Sequence, residues 1–272
     1  MYKKLSRLLS DNPIFVTTYR ADTLPTIENL PKAWMPNVTV VISEREEALK
    51  VANKYPNVSS YLYCPPTGIP GVRQFLLNYA QKENIPCLIM LDDDLSFKTA
   101  TWEDGKKRFR KSTVEQLEES FFALITKALQ GRTAFTAHGS AFFNETKHEW
   151  EMCKGNTYSF FVNCQIAKLS NASFDNGIPT MEDVQFSLMS YQAGFPSYSH
   201  MYHAVVDVGK KGKSGESAHD TPRAIRHERA TDILVKQFPG IVRERVNKSK
   251  AHMENIGTHR DVTVAWKKAL KP

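Results

Sequence analysis

Three aspartates in a row, Asp92-Asp93-Asp94, directly follow the apolar run Ile85-Pro-Cys-Leu-Ile-Met-Leu91. Adjacent carboxylates repel one another and lose solvation at the end of a buried strand. A hard divalent cation offsets both costs. Mg²⁺ and Mn²⁺ take oxygen ligands and commonly bridge one or two carboxylates to a diphosphate. The plainer alternative is an acidic turn or a helix cap. A second acidic pair, Glu182-Asp183, opens a stretch that reads as a helix over 182–193 and stops at Gly194. First-turn carboxylates often only complement the helix dipole. Beside an acceptor hydroxyl, one of them would act as general base. Arg73, in Gly71-Val-Arg73, falls in the first turn of a helix expected over 72–82. There it would face a phosphate or brace the aspartates.

Other residues offer weaker chemistry. His200, His203 and His219 follow the Glu-Asp helix, and imidazole is an acceptable Mn²⁺ ligand. His219 is the preferred third ligand and His203 the reserve, although a lone histidine in a strand more often belongs to the core. The loop 209–217 carries Lys210, Lys211 and Lys213 among glycines, a composition suited to closing over phosphates or to a plain loop tip. Lys106, Lys107, Arg108, Arg110 and Lys111 place five cations in six residues. They would grip a polyanion or form the solvated approach to a helix.

These residues need elements to hold them. Strands are expected at 13–17, 37–42, 58–63 and 85–91, and helices at 44–54 and 72–82. Ser43 and Glu46 have the spacing of a capping box. Repeated β-α-β units argue for a doubly wound α/β sheet, whose ligand edge is the carboxyl end of its strands. Further on, 112–129 reads as a helix with Ser112 or Thr113 as cap. Strands are expected over 133–143, 157–167 and 197–208, and helices over 221–237 and 240–254. The expected architecture is a mostly parallel central sheet flanked by helices in residues 1–222. A basic helical extension, 223–272, packs on it.

At 41% apolar and 24% charged residues, the composition excludes a disordered or fibrous chain. Cys64, Cys87, Cys153 and Cys164 lack CxxC spacing, which argues against a zinc cluster and for reduced thiols in the cytoplasm. No apolar run approaches the roughly 20 residues of a bilayer span, and the first residues do not read as a signal peptide. No obligate protein partner is evident. Charge is segregated: residues 1–206 hold 21 basic and 21 acidic side chains, whereas 207–272 hold 15 and 8. Such a bias suits a polyanion, or a solvated basic face.

The order of these motifs resembles the GT-A-fold glycosyltransferases. A first strand ends in Thr17-Thr18-Tyr19-Arg20; Gly71-Val-Arg73, Asp92-Asp93-Asp94 and Glu182-Asp183 follow, the last opening a helix that ends at Gly194. Within that fold, Pro70–Phe97 and Asp232–Pro239 look most like the phage-type TET-associated glycosyltransferases. That family is linked to sugar addition on 5-hydroxymethyluracil or 5-hydroxymethylcytosine in DNA. The resemblance, over about residues 12–240, implies a nucleoside-diphosphate sugar donor such as a UDP-sugar and a Mn²⁺ or Mg²⁺ ion. It places Thr17, Tyr19, Arg20, Arg73, Asp92, Asp93 and Lys213 at the donor, and Asp94, Asp92 and His219 on the metal. Asp183 would be the base, with Glu182 beside it. DNA would lie on Lys106, Lys107, Arg108, Arg110 and Lys111, and a host cytoplasm would be the setting for a phage enzyme. Trp150, Tyr158, Phe160, Phe161 and Tyr202 could stack on a base drawn out of the helix, though most read as core. The competing readings are a transferase acting on a glycan or small molecule, an inactive nucleic-acid-binding relative, and a metal-dependent nuclease.

Overall fold

The computed structural model describes residues 2–18, 23–58, 60–65, 67–140, 148–155, 157–174, 177–208, 223–248 and 258–270. Helix α1 (Tyr2–Asp11) leads into strand β1 (Ile14–Thr17). A short helix α2 (Pro25–Asn29) and a 3₁₀ turn precede β2 (Val38–Ile42), α3 (Arg45–Lys54) and β3 (Ser60–Tyr63). Helix α4 (Gly68–Lys82) then delivers β4 (Cys87–Asp92). Strands β1 to β4 are parallel, in the order β3-β2-β1-β4. Alternate residues enter two cores. Ile14, Val16, Ile89 and Leu91 pack with α1, while Phe15, Leu88 and Met90 pack with Leu76 and Leu77 of α4. Burial on both faces explains the unbroken apolar run before Asp92.

Next come β5 (Leu95–Glu103), β6 (Lys106–Lys111), α5 (Val114–Leu129), β7 (Phe135–Ser140) and β8 (Trp150–Met152). They are followed by β9 (Ser159–Asn163), α6 (Cys164–Ser170), α7 (Glu182–Gln192) and β10 (Tyr198–Asp207). The sheet continues β4-β9-β7-β10-β5-β6, with β8 on β10. Strands β5, β8 and β9 run against the rest. Asp92 and Leu95 are only three residues apart, about 11 Å at full stretch. Their strands are four places apart, about 19 Å across a flat sheet. The sheet must therefore curl, bringing β5 round to the carboxyl end of β4.

The chain ends in α8 (Arg223–Gln237), a hairpin of β11 (Val242–Lys248) and β12 (Thr258–Val264), and α9 (Trp266–Ala269). Ala230, Leu234, Val242 and Ala269 share a core with Val184, Leu188 and Tyr191 of α7.

Four local expectations are corrected. The helix expected over 240–254 is strand β11 over its described part, because Val242, Glu244 and Val246 alternate with Arg243, Arg245 and Asn247. The strand expected over 157–167 stops at Asn163, whose side chain accepts from Ile166 N and caps α6. Ser43 and Glu46 form no capping box; Glu47 instead accepts from Ser43 N at 3.5 Å. The basic run 106–111 is not the approach to a helix. It is edge strand β6, joined to β5 by Asp104-Gly105, both with positive φ. That two-residue turn is a hairpin signal present in the sequence.

Candidate active site

Strands β2 and β3 lie on one side of β1 and β4 on the other, so the crossover direction reverses between β1 and β4. A doubly wound sheet opens its ligand crevice at such a point. Thr17 and Asp92 stand there as register partners at the two strand ends. The acidic turn beyond them is pinned from α2. Thr26 donates its hydroxyl to Asp92 O at 2.6 Å, accepts from Leu95 N at 2.8 Å, and bonds Asp93 O through its own N–H at 3.0 Å. Asp94 O accepts from Val208 N at 3.0 Å, which ties the turn to the end of β10.

Arg73 lies in the second turn of α4, not the first, because the helix begins at Gly68. The guanidinium is buried, at 4% exposure. One terminal nitrogen reaches Glu182 Oε1 at 2.5 Å and the other Asp92 Oδ1 at 3.0 Å. The ring of Phe160 lies 4.7 Å below the guanidinium carbon. Arg73 therefore braces the acids. One cation faces the buried carboxylate of Glu182 and the half-buried one of Asp92, with Asp183 close by. Burial opposes its charge, but Asp92, Glu182 and Asp183 together raise its pKa. Burial also raises Asp92, against the pull of Arg73. Glu182 is pushed up to about 7, by burial first and then by Asp183 and Asp92, with Arg73 opposing.

Helix α7 enters through Met181 at φ +61°. Asp183, half-buried, accepts from Thr157 N at 3.1 Å and Val184 N at 2.8 Å. Gly155 makes this approach possible: its φ is +75°, and a Cβ there would stand 2.7 Å from Val184 Cγ2.

The structure thus gathers Thr17, Arg73, Asp92, Asp93, Asp94, Glu182 and Asp183. Asp93 is buried and Asp94 half-buried. Tyr19, Arg20, Lys213 and His219 lie outside the described residues. The reserve ligand His203 is misplaced, because it sits four residues before Asp207, the partner of Leu95. That is about 13 Å down the strand. It belongs to a buried cluster, with Nδ1 3.3 Å from Thr99 Oγ1 and its ring 4.6 Å from that of His200. His138 completes the cluster, held by Ser120 Oγ and Ser159 Oγ. Phe160 and Phe161 are core; Tyr158 is exposed, and its carbonyl accepts from Asp92 N. Lys107 donates to Met201 O at 2.7 Å and Arg110 pairs with Glu103, whereas Lys106, Arg108 and Lys111 are exposed. Thr26 was not foreseen, for nothing in Leu24-Pro-Thr-Ile marks a residue that folds back 66 positions to the acidic turn.

Among the described residues, no three His, Cys, Asp or Glu side chains converge on one point. The donor set still fits an ion that takes one or two carboxylates and completes its shell with phosphate and water. Asp94 offers hard oxygen at the rim, and Asp92 keeps one oxygen beyond its bond to Arg73.

A family model described as TET-Associated Glycosyltransferase matches residues 13–215. S. aureus TarS 1–349 in complex with UDP-GlcNAc is similar at 14% identity and a TM-score of 0.47, over 82% of this chain and 66% of that one. GalNAc-T7 with UDP, GalNAc and Mn²⁺ is similar at 10% identity and 0.44, over 82% and 47%. A mannose-1-phosphate geranyltransferase from Thermus thermophilus is similar at 13% identity and 0.42, over 72% and 76%. The chain thus spans just under two thirds of the TarS fragment and about half of GalNAc-T7. No curated protein matches it significantly. The family match takes in β1, Arg73, the acidic turn, the Glu182-Asp183 pair and β10, and on that match the chain belongs to the TET-associated glycosyltransferase family.

Proposed function

We propose that the protein moves a sugar from a nucleoside-diphosphate sugar, a UDP-sugar, to the hydroxyl of a 5-hydroxymethylpyrimidine in DNA. The observation that carries this reading is the Asp92–Arg73–Glu182 bridge, which fixes a carboxylate-rich strand end against the first turn of α7. Membership in a family linked to such bases supports the acceptor. The cationic excess of residues 207–272 supports a polyanionic partner.

In this reading the donor lies over the ends of β1 and β4, with Thr17 and Asp92 beside its nucleoside. Asp94 and Asp92 would hold a Mn²⁺ or Mg²⁺ ion, which supplies charge neutralisation to the diphosphate as it departs. Asp183 takes the proton of the hydroxymethyl group while that oxygen bonds to the anomeric carbon and the sugar–phosphate bond breaks. Its two backbone donors, Thr157 N and Val184 N, hold the carboxylate in one orientation and leave lone pairs for the proton. Arg73 keeps Glu182 and Asp92 in place and does not itself touch the acceptor. Tyr19, Arg20, Lys213 and His219 retain their proposed places at the donor and metal. Exposed Lys106, Arg108 and Lys111 would meet the DNA backbone without reading sequence.

The test is a mass assay. The protein, Mn²⁺ and a panel of nucleotide sugars are mixed with DNA bearing hydroxymethyluracil, hydroxymethylcytosine or neither. After digestion, a hexose-sized gain on a hydroxymethyl nucleoside alone is expected. Transfer to a glycan or free small molecule with none to DNA would overturn the acceptor assignment.

A further inference from the structure

The hairpin of β5 and β6 carries a surface that the proposed chemistry does not use. Cross-strand partners share a sheet face, so Trp102 with Lys107, Ala100 with Phe109 and Lys98 with Lys111 project to one side. Tyr202 of the neighbouring β10 joins them: its ring lies 5.0 Å from that of Trp102, at 88°. The opposite face takes Phe97 and Thr99 into the interior. Trp102, next to the last residue of β5 and beside the hairpin turn, is 54% exposed, a large apolar side chain left open to solvent. Lys107 Nζ lies 5.5 Å from the Tyr202 ring and 5.1 Å from that of Phe109. Acidic Glu151 is also near Lys107 and limits the positive field at that end. Lys98 and Lys111 lie toward the acidic turn.

We infer that this face is a stacking platform for unpaired nucleotides of the DNA acceptor, with bases laid on Trp102 and Tyr202 and phosphates met by Lys98 and Lys111. A row of aromatics interleaved with lysines on an open sheet face matches single strands, because every base has a π-face and every linkage a charge. A purely apolar partner would not account for the lysines. The placement also suits delivery to the site. Leu95, beside the acidic turn, is seven residues from Trp102 along β5, about 23 Å. A strand held on the platform thus leads to the crevice, and a hydroxymethyl base already out of a duplex needs no unpairing there. This inference rests on DNA being the acceptor.

The experiment compares the full chain with Trp102→Ala and Trp102→Phe. Binding of single-stranded and duplex hydroxymethyluracil oligonucleotides of equal length is followed by anisotropy, and sugar transfer to each is measured. Single-strand affinity is expected to fall about tenfold or more in Trp102→Ala and to survive in Trp102→Phe. Oligonucleotide should quench tryptophan emission in the wild type and fail to do so in Trp102→Phe, a readout that does not depend on the alanine variant folding. Transfer to a free hydroxymethyl nucleoside should be unchanged. Equal single-strand affinity in wild type and Trp102→Ala overturns the platform, as does a wild-type dimer that Trp102→Ala dissociates without loss of DNA affinity. If wild type glycosylates DNA and either result appears, only the platform fails. If wild type neither binds nor modifies any DNA, the acceptor assignment fails and the platform with it.

Discussion

Arg73 and Glu182, 109 residues apart in the chain, meet at 2.5 Å through Nη1 and Oε1, and the second arm of the same guanidinium holds Asp92. This one contact joins the helix before the acidic strand to the helix that carries Asp183. A planar fork does this where a lysine ammonium would reach only one acid with good geometry.

Removing that fork strands the buried carboxylate of Glu182 and takes the partner from half-buried Asp92. Arg73→Met is expected to cost about 3–5 kcal/mol in chemical denaturation, as for other broken buried pairs. Arg73→Lys should recover part of the stability and little of the transfer. A loss below about 1 kcal/mol would mean that water, not Arg73, solvates the carboxylates.

Thr26 is a positioning residue for the acidic turn. Thr26→Val preserves shape and removes the hydroxyl that bonds Asp92 O and Leu95 N. A buried amide left unpaired costs about 1–3 kcal/mol. The turn should loosen, so the donor KM is expected to rise while Thr26→Ser stays near wild type. If all three proteins share one KM, the turn does not depend on this bond.

Much of the frame was legible because local physics set it. β-Branched runs gave β2, an apolar run gave β4, and Thr113, one of the two expected caps, does cap α5, with Gln116 completing a capping box that was not expected. The failures came from tertiary choices. Residues 164–167 read as a continuing strand until the Asn163 side chain is seen to cap a helix there. His203 stands as the reserve ligand until β10 is paired with β5 and carries it away from the turn. The partner of Arg73 was open in the sequence, since Glu182 reaches it only after the chain has crossed the sheet.

The histidine cluster makes the fold acid-sensitive. Burial lowers His200 to about 4 and His203 to about 3, and it drives His138 well down, with the other two adding to the effect. Half-exposed Glu149, 3.3 Å from His200, does not offset burial. An unfolded histidine takes up its proton near pH 6.5. The stability these groups provide is complete above that value and is lost as pH falls toward the folded values. The melting temperature should therefore drop between pH 6.5 and 4, and His203→Asn should flatten the drop. An identical pH profile in that variant would exclude the cluster as its source.

Asp94 presents a half-buried carboxylate at the rim, while its backbone carbonyl holds the turn to β10. Asp94→Ala keeps the carbonyl and loses the carboxylate. Transfer is expected to vanish while the fold stays intact, as circular dichroism would show. Calorimetric titration should show that Mn²⁺ no longer strengthens UDP binding. Full activity in this variant would remove the metal assignment.

Glu182 and Asp183 are adjacent but differ in what surrounds them, and paired substitutions separate their roles. Glu182 faces Arg73 in the interior with its pKa raised to about 7, so its protonated form is favoured by the fold. The stability it gives is complete below the unfolded value near 4.5 and is lost as pH rises through 7. Glu182→Gln is neutral throughout. It should gain stability relative to wild type across that window and keep a substantial share of the transfer rate. Asp183 is half-buried and fixed by two backbone donors, so it can take a proton without leaving its place. Asp183→Asn should lower kcat about 10²–10⁴-fold with the donor KM little changed. The reverse pattern, with Glu182→Gln inactive and Asp183→Asn active, would move the base to Glu182 and make Arg73 the group that tunes it.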